Sequence, residues 1–136
     1  MYPLAKLFLF GILLLFLSVP VFGQLDSVHY FPPIYQGNGT ANQGALYVST
    51  PSVSPVSFQI TDGAGTPVAS GTVTNASYYR YQMNGVNTTI LLPASQLNAP
   101  LTGKGFIVHA SAPVYANLRY EAVSNNQSFS ITAKGR

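Results

Sequence analysis

The chain has 136 residues, neither cysteine nor tryptophan, and only six basic and three acidic side chains, for a formal net charge of +3. That length suits one domain rather than two, and the absence of cysteine excludes disulfide frameworks, thiolate metal sites and attachment to lipid through a cysteine. The pI near 9.3 reflects scarce acids, and basic residues scattered singly along the chain argue against a nucleic-acid partner, which needs cations clustered on one face.

The first element is a leader. Lys6 and the amino terminus form a positive start, residues 7–19 are apolar apart from Gly11 and Ser18, and Pro20 ends any helix. Val21 and Gly23 stand where a signal peptidase requires small residues, which predicts a cut between Gly23 and Gln24. An uncleaved anchor is the alternative, but the apolar stretch 7–22 is shorter than the roughly 20 residues that a spanning helix needs. The expected location is therefore secreted or at the cell surface, with membrane contact only through the signal peptide during export.

Residues 24–44 carry Pro32, Pro33, Gly37, Gly39 and Gly44, a density of breakers that predicts an extended lead-in segment. Strand signals follow. Residues 45–50 are one candidate; 56–61 alternate Val56, Phe58 and Ile60 with Ser57, Gln59 and Thr61. Asp62-Gly-Ala-Gly65 reads as a hairpin turn, which returns residues 67–74 antiparallel. Residues 77–83 place Tyr79, Tyr81 and Met83 opposite Tyr78, Arg80 and Gln82, and Asn84-Gly85 is a turn signal.

Residues 88–92 form the next candidate strand, and 94–98 are expected to make one helical turn. Strands over 104–110 and 113–122 come next, the second alternating Val114, Ala116, Leu118 and Tyr120 with Tyr115, Asn117, Arg119 and Glu121. Asn125-Asn126 turns the chain into 127–133. About eight short strands at this spacing predict an all-β fold, an antiparallel β-sandwich of immunoglobulin-like type behind an N-terminal signal helix. The expected organisation is a signal peptide at 1–23, the lead-in at 24–44 and the β-domain at 45–136.

Little in the chain carries chemistry. The acids of the mature part are Asp26, Asp62 and Glu121, and the histidines are His29 and His109. Asp62 suits the turn it occupies, and alternation makes His109 a half-exposed strand residue. No nucleophile elbow or paired-histidine metal motif accompanies them, and three separate acids do not make a calcium site. The expectation is a protein that is not an enzyme and uses no metal or other cofactor. Sequons at Asn38, Asn75, Asn87 and Asn126 have meaning only in a host that glycosylates.

Tyr78 and Arg80 on one strand, and Tyr115, Asn117 and Arg119 on another, fall on polar strand faces. They are the candidate face for a surface glycan or a protein ligand. The competing reading makes them cross-strand pairs that steady an exposed sheet, and it gains weight from the absence of tryptophan, the commonest sugar-stacking side chain.

One family resemblance spans residues 29–135. The succession His29-Tyr-Phe-Pro-Pro33, Tyr47-Val-Ser-Thr-Pro51, Lys104-Gly-Phe-Ile-Val108, Pro113-Val-Tyr-Ala-Asn-Leu-Arg119 and Ala133-Lys-Gly135 resembles the N-terminal region of large secreted Bacteroidetes proteins, particularly flavobacterial ones. These are similar to the domain family named for the N-terminus of IgGFc-binding protein, and often end in gliding-motility or type IX secretion sorting domains. The resemblance implies a β-rich module of an adhesin-like surface protein. Such proteins continue far beyond this point, so the resemblance implies either a fragment of a longer reading frame, with further domains of the same protein as its neighbours, or a truncated copy.

Overall fold

A computed structural model describes residues 24–35, 41–84, 87–122 and 127–133. The expected leader with its expected cleavage residue Gly23, and the turns expected at 84–85 and 125–126, fall wholly or partly outside them. Among the described residues the protein is all-β. Its strands are β1 (Asp26–Phe31), β2 (Ile34–Tyr35), β3 (Ala41–Ser49), β4 (Val56–Asp62), β5 (Pro67–Val73), β6 (Tyr79–Asn84), β7 (Leu91–Leu92), β8 (Phe106–Ala122) and β9 (Gln127–Thr132). A single 3-10 turn, Ala94–Gln96, lies in the stretch where one helical turn is expected. No helix among the described residues is long and apolar enough to cross a membrane.

Seven strands form one sheet in the order β5-β4-β8-β3-β6, with β1 and β9 also paired to β8; β2 and β7 form a separate parallel pair. The common element is β8. Its first residues pair with β4 (Phe58↔Ala110 to Asp62↔Phe106) and with β1 (Val28↔His109 to Phe31↔Phe106). Its last residues pair with β3 (Ser49↔Tyr115 to Gln43↔Glu121) and with β9 (Asn117↔Thr132 to Ala122↔Gln127).

Two strands expected over 104–110 and 113–122 are thus one. Pro113 does not break β8 because the chain is changing partners there, between its last pair with β4 at Ala110 and its first with β3 at Tyr115. A residue without an N–H is tolerated where no ladder bond is required of it. Side chains make up the local pairing: Ser57 N–H donates to Ser111 Oγ at 3.1 Å, and the Thr50 hydroxyl donates to the Pro113 carbonyl at 3.0 Å.

Two further differences concern elements around the sheet. Within the expected lead-in 24–44, the described residues supply the sheet strand β1, the short β2 and the start of β3. Of the strand expected over 88–92 only β7 remains, because Ile90 and Leu91 N–H groups both return to the Asn87 carbonyl and close a turn. The Asp62 turn forms as expected: its carboxylate Oδ1 accepts from Ala64 N at 2.9 Å and Thr66 N at 2.8 Å, and Gly65 takes a φ of 86°.

Alternation then builds the core. Phe58, Ile60, Phe106 and Val108 from one half of the sheet, and Leu46, Val48, Met83, Ala116, Leu118 and Tyr120 from the other, are all buried in one cluster. Each such large side chain contributes about 1.5–3 kcal/mol of burial. Aromatic pairs tie the halves together: Phe58 against Tyr79 with centroids 4.9 Å apart, and Tyr81 edge-on to Phe106 at 6.0 Å. The Phe58–Tyr79 pair lies beside Gly71 of β5, so the outer strands β5 and β6 approach each other and the sheet nearly closes. Burial first, and the neighbouring Tyr81 second, push the Tyr120 hydroxyl well above the usual phenol range.

Candidate functional site

The same alternation that buries Leu46 and Leu118 turns their neighbours outward, and register aligns these neighbours into rows. In one row Arg80 of β6 pairs with Tyr47 of β3, Tyr47 with Asn117 of β8, and Asn117 with Thr132 of β9. In the next, Gln82 pairs with Ala45, Ala45 with Arg119, and Arg119 with Ser130. On the other side of the Tyr47 row, Tyr115 pairs with Ser49, while Tyr78 lies just ahead of β6 with its ring 6.1 Å from that of Tyr47. All five residues singled out from the sequence, Tyr78, Arg80, Tyr115, Asn117 and Arg119, therefore belong to one continuous sheet face.

Sequence reasoning missed the residue at its centre. The Arg80 guanidinium carbon sits 5.8 Å above the Tyr47 ring, a cation–π arrangement that holds the planar group over an aromatic surface. Tyr47 shares outward parity with Ala45 and Ser49, so the strand period could have identified it; the short run 45–50 was too weakly patterned to assign faces. Small residues separate the large ones. Ala45 is buried although it points outward, consistent with long neighbours Gln82 and Arg119 lying over it.

Asn117 is fixed from both ends of its amide. Nδ2 donates to Thr132 Oγ1 at 2.8 Å, and Oδ1 accepts from Ser130 Oγ at 2.9 Å. Around this ladder Tyr78 is 66% and Tyr115 42% exposed, and Arg80, Arg119 and Glu121 are exposed too. The result is an outward surface of aromatic rings, amides, hydroxyls and two guanidinium groups.

The histidines have other settings. His29 is fully buried, with Nε2 placed 3.0 Å from the Asp26 carbonyl and 2.8 Å from that of Val114. Two acceptors require that Nε2 carry the proton, and Nδ1 is buried without a hydrogen-bond partner. His109, one step beyond the Val108 that faces His29, is exposed on the opposite side of the sheet. It borders a shallow depression of about 340 Å³ with Ser57, Gln59, Ser70 and Ser111. No group of three or more His, Asp or Glu that could hold a metal occurs among the described residues.

No family model and no curated protein matches this chain. Among solved structures, the crystal structure of Thermotoga maritima 1070 is similar at a TM-score of 0.47 and 17% identity, over 81% of this chain and 92% of that one. A likeness this distant carries no functional argument.

Proposed function

We propose that this chain is a non-catalytic exported β-domain, the N-terminal module of a cell-surface adhesin-like protein with a structural or binding role. The observation that carries the reading is the single outward face assembled by Tyr47, Tyr78, Arg80, Tyr115, Asn117 and Arg119. The signal-peptide pattern of residues 1–23 and the resemblance to Bacteroidetes surface proteins of the type IX secretion and gliding-motility class give it a cellular setting. His29 and His109 face opposite sides of the sheet, which supports a role without acid–base catalysis. The finer architectural reading, an immunoglobulin-like sandwich, has support in two sheet halves that share β8 and press their apolar faces together.

Two measurements test this proposal. The exported protein should begin at Gln24 by mass spectrometry and be labelled by antibody on intact cells; a cytoplasmic chain that keeps residues 1–23 would overturn it. A panel of esterase, glycosidase and protease substrates should show no turnover, and turnover abolished by His109→Ala would make the protein an enzyme.

The second reading is a carbohydrate-binding module that uses the tyrosine and arginine face. Tyrosines exposed beside fixed amide and hydroxyl groups favour it. Glycan-array binding lost in Tyr115→Ala and Arg119→Ala supports this reading, and a blank array retires it.

A further inference from the structure

We infer that the ligand of this face is an acidic polysaccharide, its carboxylate or sulfate groups taken by Arg80 and Arg119 and its sugar rings laid along Tyr78, Tyr47 and Tyr115. The inference rests on the carbohydrate-binding reading and specifies the class of sugar.

Charge is scarce in this protein, so the place of each charged group carries information. Of those whose placement is described, Asp62 is committed to its turn, Lys104 Nζ donates to the Thr88 carbonyl at 2.6 Å, and Asp26 Oδ1 accepts from Ser27 N–H at 2.6 Å. Arg80 and Arg119 both lie exposed on the same outward face. The Arg80 guanidinium carbon lies over the Tyr47 ring, and a guanidinium suits a planar, two-oxygen acceptor.

Spacing suits a polymer better than a single small anion. Arg80 and Arg119 are two strands and one two-residue step apart in register. At about 4.8 Å per strand and about 6.8 Å per step this is roughly 12 Å. An extended chain with an acid on successive repeats can engage each arginine separately at this spacing. Between them lie Tyr47 and the doubly hydrogen-bonded Asn117, an aromatic plate and a fixed amide suited to a ring with hydroxyls. Glu121, two residues beyond Arg119 on the same face, ends the cationic stretch on that side.

The test uses the purified chain, polygalacturonate, and the same polymer with its carboxylates methyl-esterified, with polyglutamate as a polyanion that has no sugar. The inference expects binding to polygalacturonate that weakens with added salt, falls at least tenfold on methyl esterification, and falls at least tenfold in the Arg80→Gln/Arg119→Gln variant with unchanged circular dichroism. Tyr47→Leu should also weaken it. Equal binding to the ester would leave a sugar-binding face but overturn the acidic ligand. Equal binding to polyglutamate would overturn the polysaccharide, and polygalacturonate binding that survives the double arginine variant would place the site elsewhere. Failure to bind any glycan on an array of neutral and acidic sugars would overturn both readings together.

Discussion

The ring of Tyr120 covers the backbone of Gly44. The two residues are a register pair between β8 and β3, and a Cβ built on Gly44 would fall 2.5 Å from Tyr120 Cζ and 2.6 Å from its Cε1. Tyr120 is fully buried, so its ring has nowhere to retreat. An aromatic side chain thus fills the space that a bare backbone leaves in the sheet, and the glycine is what admits it.

Gly44→Val should therefore destabilise the protein by about 1–3 kcal/mol through overpacking. Denaturant unfolding checks it, and the loss should shrink in a Tyr120→Leu background, where the clash is relieved.

Tyr120 also predicts an alkaline limit. The buried hydroxyl resists ionisation in the folded protein, whereas in the unfolded chain it ionises near a pH of about 10. Its contribution is fully present below that value. As pH rises further, the unfolded state binds fewer protons than the folded one, and stability falls by up to about 1.4 kcal/mol per unit. Tyr120→Phe should flatten this decline above pH 10, at the cost of the 3.4 Å contact from the hydroxyl to Met83 Sδ. Chemical unfolding at pH 8, 10 and 11 measures the difference.

His29→Phe keeps a ring but removes the donor shared by the Asp26 and Val114 carbonyls. A loss of about 1–3 kcal/mol is expected from the carbonyls left without it, read as a lowered midpoint in urea. The change should also speed hydrogen exchange in β1, whose pairing with β8 shifts between Asp26 and Val28, close to this bond.

Asn117→Ala cuts both side-chain bonds from β8 to β9. The bonds are exposed, so global stability should fall by no more than about 1 kcal/mol. Amide exchange in 127–132 should rise more than exchange in β3, because the missing bonds belong to β9.

What was legible in the sequence follows the apolar alternation. It gave the outward parity of Tyr115, Asn117 and Arg119 and that of Tyr78 and Arg80, since a period of two assigns faces without knowledge of partners. Register was not legible, so the convergence of these two groups through Tyr47 had to come from the fold. The strand β1 escaped because its pattern is inverted: His29 is buried while Tyr30 is 47% exposed, and a polar side chain on the inner face hides a strand from any hydrophobicity rule. The continuity of β8 escaped for another reason. Ser111-Ala112-Pro113 reads as a break wherever a strand must keep one partner, and here the partner changes.

The place of β8 in the chain sets an order for folding. β1, β3 and β4 are all made before residue 106, yet each takes a partner from Phe106–Ala122. A nascent chain that stops short of that segment can close the β4–β5 hairpin and pair β3 with β6, but it cannot join the two units. Contacts this distant along the chain slow folding. The domain therefore stays open until residues 106–122 have been made.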